Sequence, residues 1–411
     1  MIRINQQRLW QSIDDMARIG ATANGGSRRL ALSREDVEGR RSFVRWCEEA
    51  GCEIHVDPIG NIFACRAGTS PDAEAVMCGS HLDTQPLGGR FDGVYGVLAG
   101  LEAVRTLNDH AIATHRSIVV VNWTNEEGAR FAPGLIGSAV YAGSETLSFA
   151  RSRACIDTGM TLGEELDASG FAGSRPYTKP VKAYYELHIE QGPILEAANV
   201  SIGVVTGIQG IYEIAVTIGG FASHGGTTPM KMRRDALTGA ASMIARMTSF
   251  ATEMDEHARL TVGQINCQPN SPSTIPDQVR FSIDTRHPDP DTLRRLVAEI
   301  EAICREEGVR HRLKVETSVI AAYAPVAFHA RAVEQVRAAT SSLDYSCLDL
   351  TSGAGHDAMN LAAVTEAAMI FVPCKDGLSH NEYEDADPTR IAEGASVLAT
   401  VLLSEAGEAL A

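Results

Sequence analysis

The chain has no Cys-x-x-Cys spacing: its nine cysteines stand singly at 47, 52, 65, 78, 155, 267, 304, 347 and 374. That argues against cysteine-ligated zinc and against a disulfide scaffold, and the expectation is a reducing cytoplasm. No apolar run approaches the ~20 residues that span a bilayer. The opening Met1-Ile2-Arg3-Ile4-Asn5 lacks the apolar core of a signal peptide, so neither export nor a membrane partner is expected. Basic residues are scarce, with Lys and Arg numbering 36 against 52 Asp and Glu. The net charge of -16 argues against nucleic acid or anionic lipid as partner. It leaves an anionic substrate open, because a few arginines and metal ions set the field inside a cleft. Repeats and low-complexity segments are absent.

What is present describes an ordinary globular chain, with 44% hydrophobic and 21% charged residues. At 411 residues it is long for one core, so two domains are expected. In the first part, strands alternate with helices. Amphipathic helices are predicted around 9–19 and 33–50, the second capped by Ser33. A buried helix is predicted over 94–107, and strands over 75–78, 118–123, 183–188 and 367–372. The Ile118–Trp123 run, apolar except at Asn122, suits a central parallel strand. This pattern predicts an α/β domain, a mainly parallel sheet with helices on both faces.

The middle of the chain reads differently. Strands near 211–219, 259–267, 276–285 and 313–320 enclose helices near 230–253 and from 290, where Gly308 is placed to end the second. The order β-α-β-β-α-β is that of a split βαβ sandwich. Residues 211–327 are therefore assigned to an inserted lid or dimerisation domain, and 1–210 with 328–411 to a discontinuous catalytic domain.

Chemistry-bearing residues gather where strands end. Glu126-Glu127 follows the 118–123 strand, where two adjacent carboxylates repel unless a cation reverses the cost. One would then bind metal and the other move a proton. His81 follows the 75–78 strand, His188 closes the 183–188 strand, and His380 lies in the loop after 367–372. Open α/β sheets build their sites beyond the carboxyl ends of strands, so four strands deliver metal-compatible groups to one edge. Asp92 stands in Gly88-Gly89-Arg90-Phe91-Asp92-Gly93, where glycines allow the close approach a bridging carboxylate needs; a Gly-rich turn is the competing explanation. Asp83 could accept a hydrogen bond from His81 and fix its tautomer, or simply cap a turn.

The segments GSHLDTQPLGGRFDGVYGVLAGLEA, WTNEEGARFAPGLIGSAVYAG, HIEQGPILE, GGFASHGGTTPM, IDTRHPD, SGAGHDAMN and KDGLSHNEYE span residues 79–384. In them the chain resembles the amidase/hydantoinase-carbamoylase family of binuclear metal amidohydrolases, within the wider aminoacylase and carboxypeptidase-like group. The short His81-to-Asp92 gap resembles the carbamoylase branch. The resemblance implies two divalent ions per subunit bridged by Asp92. One would also take His81 and His188, the other Glu127 and His380. Donors without thiolate suit zinc, manganese, cobalt or nickel. Glu126 would be the general base. His224 would hydrogen-bond the developing oxyanion from the partner subunit of a homodimer formed through the inserted domain. Arg286 would grip the substrate carboxylate with its two-pronged guanidinium; a salt bridge at the strand end is its plain alternative. Gln191 would contact the amide or ureido group, and Gly353 and Gly355 would line the pocket wall.

One position departs from the family. Thirteen residues before Arg286, where asparagine is usual, stands Ser273, which is shorter and lacks the amide donors. The implied reaction is hydrolysis of an N-carbamoyl-L-amino acid to amino acid, ammonia and carbon dioxide. Allantoate or a β-ureido acid is the alternative substrate, with dipeptides and N-acyl amino acids less favoured. A noncatalytic relic would be expected to have lost the base or a ligand, and all six of those positions are filled.

Overall fold

In a computed structural model, which describes residues 2–155 and 157–409, the chain divides into two compact units: Met1–Thr206 with Ala327–Ala411, and Gly207–Val326. The larger unit is built on a mixed sheet. At its centre four parallel strands run in the order Ile118–Trp123, Ala75–His81, Val181–Ile189, Glu366–Val372. Antiparallel strands extend both edges, Ile62–Arg66 and Glu53–Val56 on one side and Ile202–Ile208 on the other. Every residue of Ala75–His81 and Ile118–Trp123 is buried, which requires cover on both faces and explains why Ala75–Cys78 and Ile118–Val121 are apolar without alternation. Helix Val94–Asp109, almost wholly buried, and helix Pro388–Ala406 supply part of that cover.

The parallel register decides where functional groups emerge. His81 pairs with Trp123, and His188 with Phe371, so the carboxyl ends of all four strands finish together. His81 is the last residue of its strand rather than part of the following loop, three residues beyond the predicted end. Ser33 caps helix Arg34–Glu49 as expected, its hydroxyl accepting from the Asp36 N–H at 3.2 Å.

The smaller unit is a four-stranded antiparallel sheet in the order Lys314–Tyr323, Gly210–Gly219, Gln278–His287, Arg259–Gln268. Helices Ala236–Met254 and Pro290–His311 pack on one face, around Val216, Ile218, Met243, Met247, Phe281, Leu296 and Ile300. Alternation along Gln278–His287 turns Val279, Phe281 and Ile283 into that core and leaves Asp284 and Arg286 on the other face. Two sequence expectations shift here. The helix predicted from 230 begins at Ala236, because the Asp235 side chain caps it by accepting from the Leu237 and Thr238 N–H groups at 3.0 Å. Gly308 does not end the second helix, which runs to His311 and stops at Arg312, in the left-handed region at φ 55°. Gly308 is needed for proximity instead: a Cβ there would lie 2.8 Å from Val315 Cγ2.

Candidate metal centre

Asp92 is the hub of the cluster. Its Oδ1 lies 3.1 Å from His188 Nε2 and 3.7 Å from His81 Nε2. Its Oδ2 lies 3.3 Å from His380 Nε2, which is 3.5 Å from Glu127 Oε2. Two groups of potential ligands result, His81–Asp92–His188 and Asp92–Glu127–His380, each with donor atoms within 4.8 Å of one another. The first is fully buried. The second opens outward through His380, whose side chain is 52% exposed. Gly93 permits the close packing: at φ 67°, a Cβ on it would meet the His81 ring at 2.3 Å.

Main-chain carbonyls set the histidine tautomers. His81 Nδ1 donates to the Asp83 carbonyl and His188 Nδ1 to the Ile189 carbonyl, both at 2.8 Å. Each ring, when neutral, then turns an Nε2 lone pair toward Asp92 Oδ1, and that of His188 also accepts from the Gly93 N–H at 3.1 Å. Lone pairs and carboxylates aimed at one point repel unless a cation lies among them, so the donor set fits a metal ion. A proton is the competing cation, and it favours His188 over His81. Burial, opposed by Asp92, lowers His81 to about 4. Burial also opposes the charge on His188, but hydrogen bonding and attraction to Asp92 win and raise it to about 9.

Glu126, 9% exposed, belongs to neither group, and its Oε2 lies 3.5 Å from His81 Nε2. Burial first, then Asp357, Glu127, Asp92 and Asp83, drive its pKa well above the usual carboxylate value. Glu127 is driven up by burial and by Asp92 and Asp83, although Gln85 donates to it through Nε2 at 2.7 Å and through its N–H at 3.0 Å.

Several residues make contacts that the sequence did not anticipate. Asp83 fixes the His81 tautomer through its carbonyl; its carboxylate stands 4.0 Å from Nδ1 and instead accepts the Glu126 and Glu127 N–H groups at 3.3 and 3.2 Å. It orients the glutamate turn. Gln191 is wired to Asp92: its Nε2 donates to Asp92 Oδ2 at 3.0 Å and to Ser379 Oγ at 3.1 Å, while its buried Oε1 has no hydrogen-bond partner among the described residues. Gly353 and Gly355 follow strand Cys347–Ser352, and a Cβ on Gly355 would meet only Leu135, at an ordinary 3.6 Å. Packing within the chain therefore does not demand glycine at 355.

The remaining candidates lie in the smaller unit. His224 and Ser273 come together on a short antiparallel pair, in which His224 faces Thr274 and the Gly225 N–H donates to the Ser273 carbonyl at 2.7 Å. His224 Nδ1 accepts from the Gly226 N–H at 3.0 Å, which leaves Nε2 as a donor on an exposed ring. Arg286 makes a salt bridge, its Nε and Nη2 each donating to Asp284 at 2.8 Å. It pairs with Ile211, whereas Gln278 pairs with Gly219 toward the His224 end. The eight residue steps from Gln278 to Arg286 put Arg286 roughly 27 Å from that end of the sheet.

Residues not singled out in the sequence support the centre from behind. Ser379 Oγ lies 3.0 Å from Asp92 Oδ2, and Glu384 accepts the Phe91 and Asp92 N–H groups at 2.9 and 3.1 Å. Under the sheet, the Glu186 carboxylate accepts from Ser80 Oγ at 2.7 Å and from the Ala358 N–H at 2.9 Å. Glu186 shares a strand face with His188, two residues on, and that spacing was the one available signal.

The chain is 47% identical over 409 residues to the N-carbamoyl-L-amino-acid amidohydrolase of Rhizobium meliloti, covering 98% of this chain and 97% of that protein. It is 33% identical over 400 residues to the allantoate amidohydrolase of Bacillus subtilis (strain 168), covering 95% of each. The crystal structure of an amidase of the hydantoinase/carbamoylase family from Burkholderia multivorans superposes with a TM-score of 0.95 at 48% identity, covering all of both chains. The model of peptidase family M20/M25/M40 matches residues 77–404, and the chain belongs to that family.

Proposed function

We propose that this chain hydrolyses the ureido C–N bond of N-carbamoyl-L-amino acids. The observation that carries the reading is Asp92 shared between two potential ligand groups, with the unligated Glu126 carboxylate alongside. The 47% identity to a relative of that printed activity supports the substrate class. In this reading His81, Asp92 and His188 hold one divalent ion, and Asp92, Glu127 and His380 a second. When bound, the ions acidify water and polarise the scissile carbonyl. The nitrogen and oxygen donors suit zinc, manganese, cobalt or nickel.

Glu126 takes a proton from the attacking water and returns it to the leaving nitrogen. The C–N bond breaks to give the amino acid and carbamate, which decomposes to ammonia and carbon dioxide. His224 Nε2–H donates to the carbonyl oxygen as it gains charge. Arg286, held flat by Asp284, binds the substrate carboxylate. The roughly 27 Å of strand between Arg286 and the His224 end is too long for one small substrate to bridge. That separation supports a homodimer in which the partner subunit's His224 completes the site. Exposed Phe221, Met230 and Met232 flank His224 and favour such a contact. Nine free thiols support a reducing, cytoplasmic setting.

Allantoate is the second reading, supported by the 33% identity to the Bacillus subtilis relative. The test is ammonia release from N-carbamoyl-L-amino acids, N-carbamoyl-β-alanine, allantoate and ureidoglycolate, and release of free amino acid from N-acyl amino acids and dipeptides, each with zinc, manganese, cobalt and nickel. Metal-dependent turnover should be highest on an N-carbamoyl-L-amino acid. Turnover confined to dipeptides or N-acyl amino acids would overturn the reading.

A further inference from the structure

Glu384 lies four residues after His380 and has no part in the chemistry above, yet its carboxylate is 3% exposed and fully engaged. Oε1 accepts the N–H groups of two consecutive residues, Phe91 at 2.9 Å and Asp92 at 3.1 Å. Oε2 lies 3.0 Å from Ser379 Oγ, which is also 3.0 Å from Asp92 Oδ2. Glu384 thus reaches Asp92 at both ends, directly at the main chain and through one hydroxyl at the carboxylate. Gly89 is shaped to this arrangement: a Cβ there would lie 2.0 Å from Glu384 Oε1 and 2.1 Å from its Cδ.

A carboxylate shared between two ligand groups must hold both oxygens at once, and free rotation about its side chain would deliver only one. We infer that Glu384 is the positioning residue that locks Asp92 across the two groups, with Ser379 as its arm and Gly89 as its seat. The inference rests on the metal-binding reading above. The two oxygens are not equally supported. Oδ1 faces His81 and His188, while Oδ2, the oxygen in contact with Ser379, faces His380. Loosening Glu384 therefore weakens the Glu127–His380 side before the His81–His188 side.

The test is zinc titration of the full-length protein against a chelator, with thermal melting of the zinc-free forms alongside. Outer partners of metal ligands typically carry ~10–100-fold of affinity. Glu384→Ala should weaken the second zinc equivalent at least tenfold and the first by less. Glu384→Gln keeps an acceptor for the two N–H groups and a polar contact to Ser379, and should bind within about threefold of wild type. Gly89→Ala retains the carboxylate but displaces it, and should copy Glu384→Ala; it carries the test if Glu384→Ala fails to fold. Equal losses in the Gln and Ala variants, or an undiminished second equivalent in Glu384→Ala or Gly89→Ala, overturn the assignment. A wild-type protein that takes up fewer than two equivalents overturns the metal reading, and this inference with it.

Discussion

Glu126→Gln separates chemistry from binding and stability at one position. The amide has the shape of the carboxylate, so packing at this buried site is kept. Glu126 lies outside both potential ligand groups, so metal content should stay at the wild-type value. What is lost is the proton acceptor. A positioned general base contributes ~10²–10⁴-fold, or about 3–5.5 kcal/mol of barrier at 1.36 kcal/mol per decade. Turnover should fall by that factor while zinc uptake is unchanged. A second readout follows from electrostatics. Burial and the charges of Asp357, Glu127, Asp92 and Asp83 raise the Glu126 pKa in the folded state above the unfolded 4.5. The ionised form therefore costs stability, and that cost grows as pH rises above 4.5. Removing it should raise the melting temperature of the metal-free protein at pH 8, with the difference vanishing near pH 4. Ammonia release, zinc stoichiometry and melting in chelator give the three numbers. Turnover within tenfold of wild type, or loss of a zinc equivalent, would refute the assigned role.

Arg286→Ala should raise KM for carboxylate substrates ~10–100-fold, as expected for loss of a charge-assisted pair of about 1.5–3 kcal/mol; an unchanged KM would mean that another group holds the acid. His224→Ala should be inactive yet normally metallated. Mixed and reassociated with Glu126→Gln at equal ratio, it should recover about a quarter of wild-type activity, because half of the dimers are mixed and each has one intact site. No recovery would place the histidine within its own chain. In the smaller unit, Glu307 accepts from Ser242 and Arg246 at 2.7 Å each. Despite the opposing effect of burial, these bonds hold it at about 2, below the unfolded 4.5. Its contribution is therefore full above pH 4.5 and is lost as pH falls toward 2. Glu307→Gln should cost about 2 kcal/mol in urea unfolding at pH 7 and nothing near pH 2; a pH-independent difference would count against the argument.

Much of this was legible in the sequence, and the reason is local. Ile118–Val121 is apolar at every position because both faces of its strand are covered, and Ser33 announces a helix start because a cap bonds within three residues. His81, Glu127, His188 and His380 could be placed at one sheet edge because parallel strands put their carboxyl ends on one side. Where local cues competed, the reading slipped. The 230–253 helix started late because a short 3₁₀ turn, Met230–Met232, and the Asp235 cap precede it.

The sequence by itself determined which metal-compatible residues stand at strand ends and which strand delivers each. The tertiary structure alone decided how they are held. Asp83 works through its carbonyl, Gln191 bonds to Asp92, and Glu384 reaches back 292 residues to the Asp92 main chain. None of these follows from periodicity or caps, because hydrogen bonds between distant segments depend on how the folded chain closes, and a one-dimensional pattern carries no distance between its parts.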